Sequence, residues 1–165
     1  MTGNPPGPGK KGFALDDYAL YNLNRTAATY NDVMAKALKA YDLDTVQWRI
    51  LMLLDDHSPC SVGELARRAV TKMPTVTRML TRMEEQGLVV RRAGRGDRRF
   101  TQIRMTQMAR KTLATVQAIG NDVYERAFEG VGARDIERLT QTLKRMRENL
   151  NRSPYDKSQN KRKIT

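Results

Sequence analysis

Two stretches near opposite ends of the chain place apolar or small residues in alternating steps of three and four. The first runs through Leu20, Leu23, Ala27, Tyr30, Met34, Ala37 and Tyr41, the second through Ile136, Leu139, Leu143, Met146 and Leu150. A repeat of about 3.5 residues predicts a helix that packs along another helix rather than lying broadly on a core. The two seams therefore predict terminal helices that come together as a dimer interface, with an intrachain helix pair as the alternative. Between them the pattern changes. A second helix is predicted after Asp44, whose side chain can cap it with Gln47 as the reciprocal partner, and Val46, Ile50, Leu51, Leu53 and Leu54 make it apolar on most sides. A short third helix starts at Ser61, with Glu64 set to complete a second capping box and Val62, Leu65, Ala66 and Ala69 forming one face. A fourth is predicted from about Met73 to Gln86, with Pro74 in its first turn and Gly87 just past its end. A fifth follows Thr106 with a stripe of Met108, Thr112, Val116, Ile119, Val123 and Ala127, weakened at Gly120, where a bend is allowed.

Period-two patterning appears in one place only, directly after the fourth helix. Leu88 to Arg92 and Phe100 to Met105 read as two short strands, and Gly94 and Gly96 between them permit a chain reversal. Arg95, Arg98 and Arg99 then fall at the tip of a hairpin, where guanidinium groups can clamp phosphates or enter a groove. On the fourth helix Val76, Met79, Leu80 and Met83 recur at core spacing. Thr75, Arg78 and Arg82 are thereby predicted on the exposed side with Thr77 flanking them. Short hydroxyls near a helix start and arginines one turn apart suit a major groove, where threonine meets a base edge or thymine methyl and arginine pairs with guanine. The fold class is thus mainly α with a small β-wing, a winged helix-turn-helix flanked by terminal dimerisation helices.

Charge sharpens this picture. The chain has a net charge of +12, and residues 61–106 hold eleven lysines and arginines against four acids, whereas residues 13–60 hold four against seven. The excess sits on the motif that would meet a polyanion. Residues 1–12 are rich in proline and glycine and residues 153–165 are polar and basic, so both are expected to be disordered tails around one domain at 13–152. Within it, 13–42 and 107–152 supply dimerisation helices and 43–106 the winged module. No apolar run of about 18 residues or secretion signal is read, so a soluble, cytoplasmic protein with no membrane association is expected. The chain carries one cysteine, Cys60, and one histidine, His57, too few for familiar zinc sites, and no nucleophile elbow or phosphate loop is present. Neither an enzyme nor a bound cofactor or metal is expected.

The runs Ser61-Val-Gly-Glu-Leu-Ala66, Thr75-Val-Thr-Arg-Met-Leu80, Met83-Glu-Glu-Gln-Gly-Leu-Val89, Gly96-Asp-Arg-Arg99 and Ile103-Arg-Met-Thr106 resemble the MarR family of bacterial transcriptional regulators. The resemblance extends over about Asp17 to Leu150. It implies a homodimer on double-stranded DNA, a pseudopalindromic operator with half-sites on the order of 10 base pairs apart, and repression as the usual mode. It implies further that Arg99 enters the minor groove while Asp97 holds it, with Arg95 and Arg98 on phosphates. The candidate DNA-contacting set is Ser61, Lys72, Met73, Pro74, Thr75, Thr77, Arg78, Arg82, Arg95, Asp97, Arg98 and Arg99. Family ligands, aromatic acids or their coenzyme A thioesters, sit between helices one, two and five, which here would place Tyr18, Tyr21, Arg25, Trp48 and Met52 around an effector. Two alternatives stand beside this reading. One is a redox-sensing regulator using Cys60, against which an inert, buried thiol is the plainer expectation; the other is a winged module that binds nucleic acid or protein without regulating.

Overall fold

The computed structural model describes residues 5–93 and 101–152. The elements follow in the order α1 (Ala19–Lys39), α2 (Thr45–His57), β1 (Cys60–Ser61), α3 (Val62–Arg68), α4 (Met73–Glu85), β2 (Val89–Ala93), β3 (Thr101–Met105), α5 (Gln107–Ala127) and α6 (Ala133–Asn151). The described residues divide into two compact units, with the boundary after Val123. No helix among the described residues is long and apolar enough to cross a membrane.

Local chemistry places the helices of the first unit. Asp44 Oδ1 accepts from the backbone N–H of Val46 and Gln47 at 2.8 Å each, and Gln47 Oε1 accepts from Asp44 N at 3.1 Å, so the predicted box at the start of α2 is complete. At α3 only half of the second box forms. Ser61 Oγ accepts from Glu64 N at 3.2 Å, but the Glu64 carboxylate turns to Arg68, 3.0 Å away and one helical turn on, and leaves the cap's own N–H alone. Gly87 ends the α4 segment with φ +69°, a left-handed backbone that favours glycine; the Met108 side chain lies over it, its Cε 2.5 Å from where a Cβ would stand, and its flexible end could move aside. Thr106 then donates to Gly87 O at 2.7 Å and accepts from Ala109 N at 3.1 Å, capping α5.

The core lies where α2, α3, α4, α5 and the sheet meet. Ile50, Leu51, Leu54, Leu65, Val76, Leu80, Met83 and Ile103 are fully buried there. A smaller cluster joins Met34 and Leu38 of α1 to Ile119 and Val123 of α5, and Trp48 and Leu43 touch both clusters. One polar side chain is fully buried among the described residues: Gln47, whose amide Nε2 donates to Gln86 Oε1 at 2.9 Å and ties the start of α2 to the end of α4.

Several expectations need correction. The predicted stripe on α5 starts out of register, since Ala109 and Leu113 are buried while Met108 is 54% exposed and covers Gly87. Gly120 faces the Trp48 indole, and a Cβ there would stand 3.6 Å from Trp48 Nε1, an ordinary contact that leaves room for a methyl. On α1 Met34 of the seam is buried together with Leu38, which the seam does not include, and Tyr41 falls, exposed, in the turn after the helix ends at Lys39. Residues 5–12 fold into successive turns, with Lys10 N donating to Gly7 O and Phe13 N to Lys10 O, both 3.1 Å, which Gly9 and Gly12 allow at φ +80° and +83°. The first hairpin strand shifts by one residue while the second ends at Met105 as predicted, and a two-residue strand, β1, pairs antiparallel with β3 to give the order β1-β3-β2. Residues 1–4, the glycines at 94 and 96, Phe100 and the 153–165 tail lie outside the described residues.

In the second unit, Tyr124 packs on Phe128 with ring centroids 4.9 Å apart, and α6 has no buried residue. Ile136, Leu143 and Met146 are partly covered, while Leu139 is 47% and Leu150 63% exposed.

Candidate nucleic-acid interface

The site is built on α4. Pro74 occupies its first turn, where no N–H is needed, and Val76, Leu80 and Met83 are fully buried with Met79 packed beside them, so the inner face is fixed. Lys72, Met73, Pro74, Thr77, Arg78 and Arg82 project outward, and Thr75 is half-buried on the flank. Arg82 leans back, its Nη1 3.9 Å from Asp44 Oδ2 at the α2 cap. Ser61, predicted as a DNA contact, uses its hydroxyl as the α3 cap. Arg95, Asp97, Arg98 and Arg99 lie outside the described residues. The structure thus brings the helical half of the predicted set onto one surface.

Three arginines on the strands, Arg91, Arg92 and Arg104, lie near this surface and were not in the predicted set. Arg91 on β2 reaches α4: its Nη2 donates to Thr81 Oγ1 at 2.9 Å and to Thr77 O at 3.4 Å, its Nε stands 3.4 Å from Glu84 Oε2, and its backbone N–H donates to Glu84 Oε1 at 3.2 Å. Thr81 in turn donates to Thr77 O at 3.2 Å. The only sequence signal was the spacing of Thr77, Thr81 and Glu84, which puts them on one stripe of the helix. On the other face of the hairpin, register pairs Val90 with Arg104 and Arg92 with Gln102, leaving two arginines along an open trough. The α3–α4 turn also carries Val70, 89% exposed with φ +52°, a left-handed conformation that costs a β-branched residue free energy.

The predicted ligand residues separate into two groups. Tyr18 meets Phe13 edge-to-face at 5.5 Å, and Arg25 stands 5.5 Å over the Tyr21 ring. Trp48 meets Tyr30 instead, at 6.2 Å, and its buried Nε1 has no acceptor; Met52, four residues on in α2, packs against the main core. Burial pushes the Tyr30 hydroxyl above its ordinary range, against the pull of Arg49. Arg49 Nη2 itself donates to Asn31 Oδ1 across α1 and α2.

Cys60 is buried, and its thiol donates to His57 O at 2.8 Å. Burial pushes the thiol up and Glu64 adds to this, while Arg68 works against them. Activation of the thiolate by the following helix start, allowed by the sequence, is outweighed by desolvation. His57 Nδ1 lies 2.7 Å from Asp56 Oδ2. No cluster of His, Cys, Asp or Glu able to hold a metal ion occurs among the described residues.

Comparison with known proteins agrees with this geometry. The sequence model of the MarR family matches residues 43–101, from the start of α2 into β3. The chain is 31% identical over 143 residues to the HTH-type transcriptional repressor IacR of Pseudomonas putida, a match covering 87% of this chain and 86% of that protein. Its backbone is similar to a MarR-family transcriptional regulator from Silicibacter pomeroyi, with TM-score 0.77, 26% identity and coverage of 86% of this chain and 95% of the other. It is also similar to the transcriptional repressor CouR bound to a 23-mer DNA duplex, with TM-score 0.70, 25% identity and coverage of 80% and 94%. CouR from Rhodococcus jostii RHA1 has also been solved bound to p-coumaroyl-CoA.

Proposed function

The chain belongs to the MarR family of transcriptional regulators, and from that premise we propose that it is a repressor that binds a pseudopalindromic duplex as a homodimer and is released by an aromatic acid or its acyl thioester. The observation that carries the DNA reading is the two-sidedness of α4, whose core stripe is fully buried while Thr77 and Arg78 point outward from the most basic segment of the chain. In this reading α4 enters the major groove with Lys72, Met73, Pro74, Thr75, Thr77, Arg78 and Arg82. Arg95, Arg98 and Arg99 engage the flanking backbone and minor groove, with Asp97 orienting Arg99. Ser61 contributes through the helix start it caps. The uncovered apolar seam of α6 supports the homodimer. Two copies then set the spacing of the recognition helices, and an effector acts by favouring a different spacing.

A mobility-shift assay on the DNA upstream of its own gene tests this. Arg78→Ala and Arg99→Ala should each weaken binding by about 1–3 kcal/mol while leaving a dimer. Equal binding by the wild type and both variants would remove the reading.

The effector site is proposed at Trp48, whose N–H is buried without an acceptor, with Met52, Tyr18, Tyr21 and Arg25, which the structure holds in two groups, as the further residues of the sequence reading. A thermal-shift screen of aromatic acids and acyl thioesters should find a stabilising ligand, and Trp48→Phe should blunt its effect. The redox alternative is disfavoured by the environment of Cys60. A thiol whose pKa is raised stays protonated through neutral pH, so the native protein should resist iodoacetamide until it is made alkaline or unfolded.

A further inference from the structure

We propose that Arg91 is a positioning residue that locks the β2–β3 hairpin to α4, so that recognition helix and wing dock on a duplex as one rigid piece; the inference rests on the regulator reading above. Four contacts converge on this residue. Its side chain reaches Thr81 Oγ1, Thr77 O and Glu84 Oε2, at 2.9, 3.4 and 3.4 Å, and its main-chain N–H reaches Glu84 Oε1 at 3.2 Å. β2 is an edge strand in the order β1-β3-β2, so the Arg91 N–H that points away from β3 would otherwise meet only water. Glu84 satisfies it and the guanidinium together.

The positions gripped are informative. Thr77 and Thr81 stand immediately before Arg78 and Arg82, the two arginines that α4 presents outward. A shift of the hairpin relative to α4 would break bonds at two successive turns of the helix that carries those arginines. The pair also has an electrostatic effect. Glu84 would set a bare carboxylate in a module that must approach phosphates, and the neighbouring guanidinium neutralises it. Lysine cannot replace this arrangement, since a single ammonium on a flexible stem does not span acceptors on two elements as a planar fork does.

The test uses full-length protein and a duplex that the wild type selects from a random pool, with a scrambled duplex of equal length for comparison. Arg91→Lys keeps the charge, so the dependence of binding on salt should be unchanged. The ratio of selected to scrambled affinity should fall on the order of tenfold, the size of coupling seen within one hydrogen-bond network. Thr81→Val, which removes one acceptor without altering charge, should move the ratio the same way by less. Loss of melting temperature in either variant with the ratio intact would assign Arg91 a purely structural role and overturn the inference. Equal loss on both duplexes with a shallower salt dependence in Arg91→Ala, and wild-type behaviour in Arg91→Lys, would make it a plain phosphate contact and overturn it too. A wild type that selects no duplex would overturn the regulator reading and this inference with it.

Discussion

The helices α4 and α6 carry similar apolar stripes and meet opposite fates. On α4, Val76, Leu80 and Met83 are fully buried within their own unit, whereas on α6 Leu139 and Leu150 remain 47% and 63% exposed and no residue is buried. Periodicity announces that a face must be covered and is silent about what covers it. The first helix finishes the fold within one chain; the second is, in our reading, finished by a second copy.

That contrast can be attacked from either side. The largest effect is expected in α4, where Leu80→Ala should cost about 2–5 kcal/mol of unfolding free energy by urea denaturation. A loss within experimental error would mean that its stripe is not the core. On α6, replacing Leu139 and Leu143 by Glu should weaken self-association at least about tenfold by sedimentation while the far-ultraviolet spectrum stays helical, because charge is placed on a seam between copies. An unchanged association constant would break the comparison. A smaller gain is expected at the turn leading into α4: Val70→Gly relieves a β-branched residue of its left-handed backbone and should stabilise the protein by about 1 kcal/mol. Smallest of all, Gly120→Ala should add about 0.5–1 kcal/mol through helix propensity, since the new methyl would meet the indole at ordinary contact distance. A loss there would show that the Trp48 ring cannot take up the added methyl.

What was legible in the sequence was local. The cap at Asp44 and Gln47, Pro74 at the start of α4 and Gly87 at its end act within a few residues, and each appears as read. What was not legible is long-range or too short to show a period. β1 is two residues long and gains its identity only by pairing Cys60 with Ile103 and Ser61 with Gln102. Arg91 reads as one more basic residue in a strand, and nothing in its neighbourhood of the chain indicates that its partners lie seven, ten and fourteen residues back. The register at the start of α5 is not legible because Met108 and Ala109 are both apolar neighbours, and the structure buries Ala109 and leaves Met108 54% exposed. At the site, the outward set on α4 followed from the buried one by geometry. The ligand set did not, because which aromatic residue of α1 meets Trp48 depends on how the helices cross.

The Gln47 amide gives the module a key in its lock. Gln47 is fully buried while its partner Gln86 is exposed, so sliding α4 along α2 would strand the Gln47 amide alone, at a cost of about 1–3 kcal/mol. A push delivered to α2 is therefore opposed as a slip between the two rods and favoured as a movement of the pair.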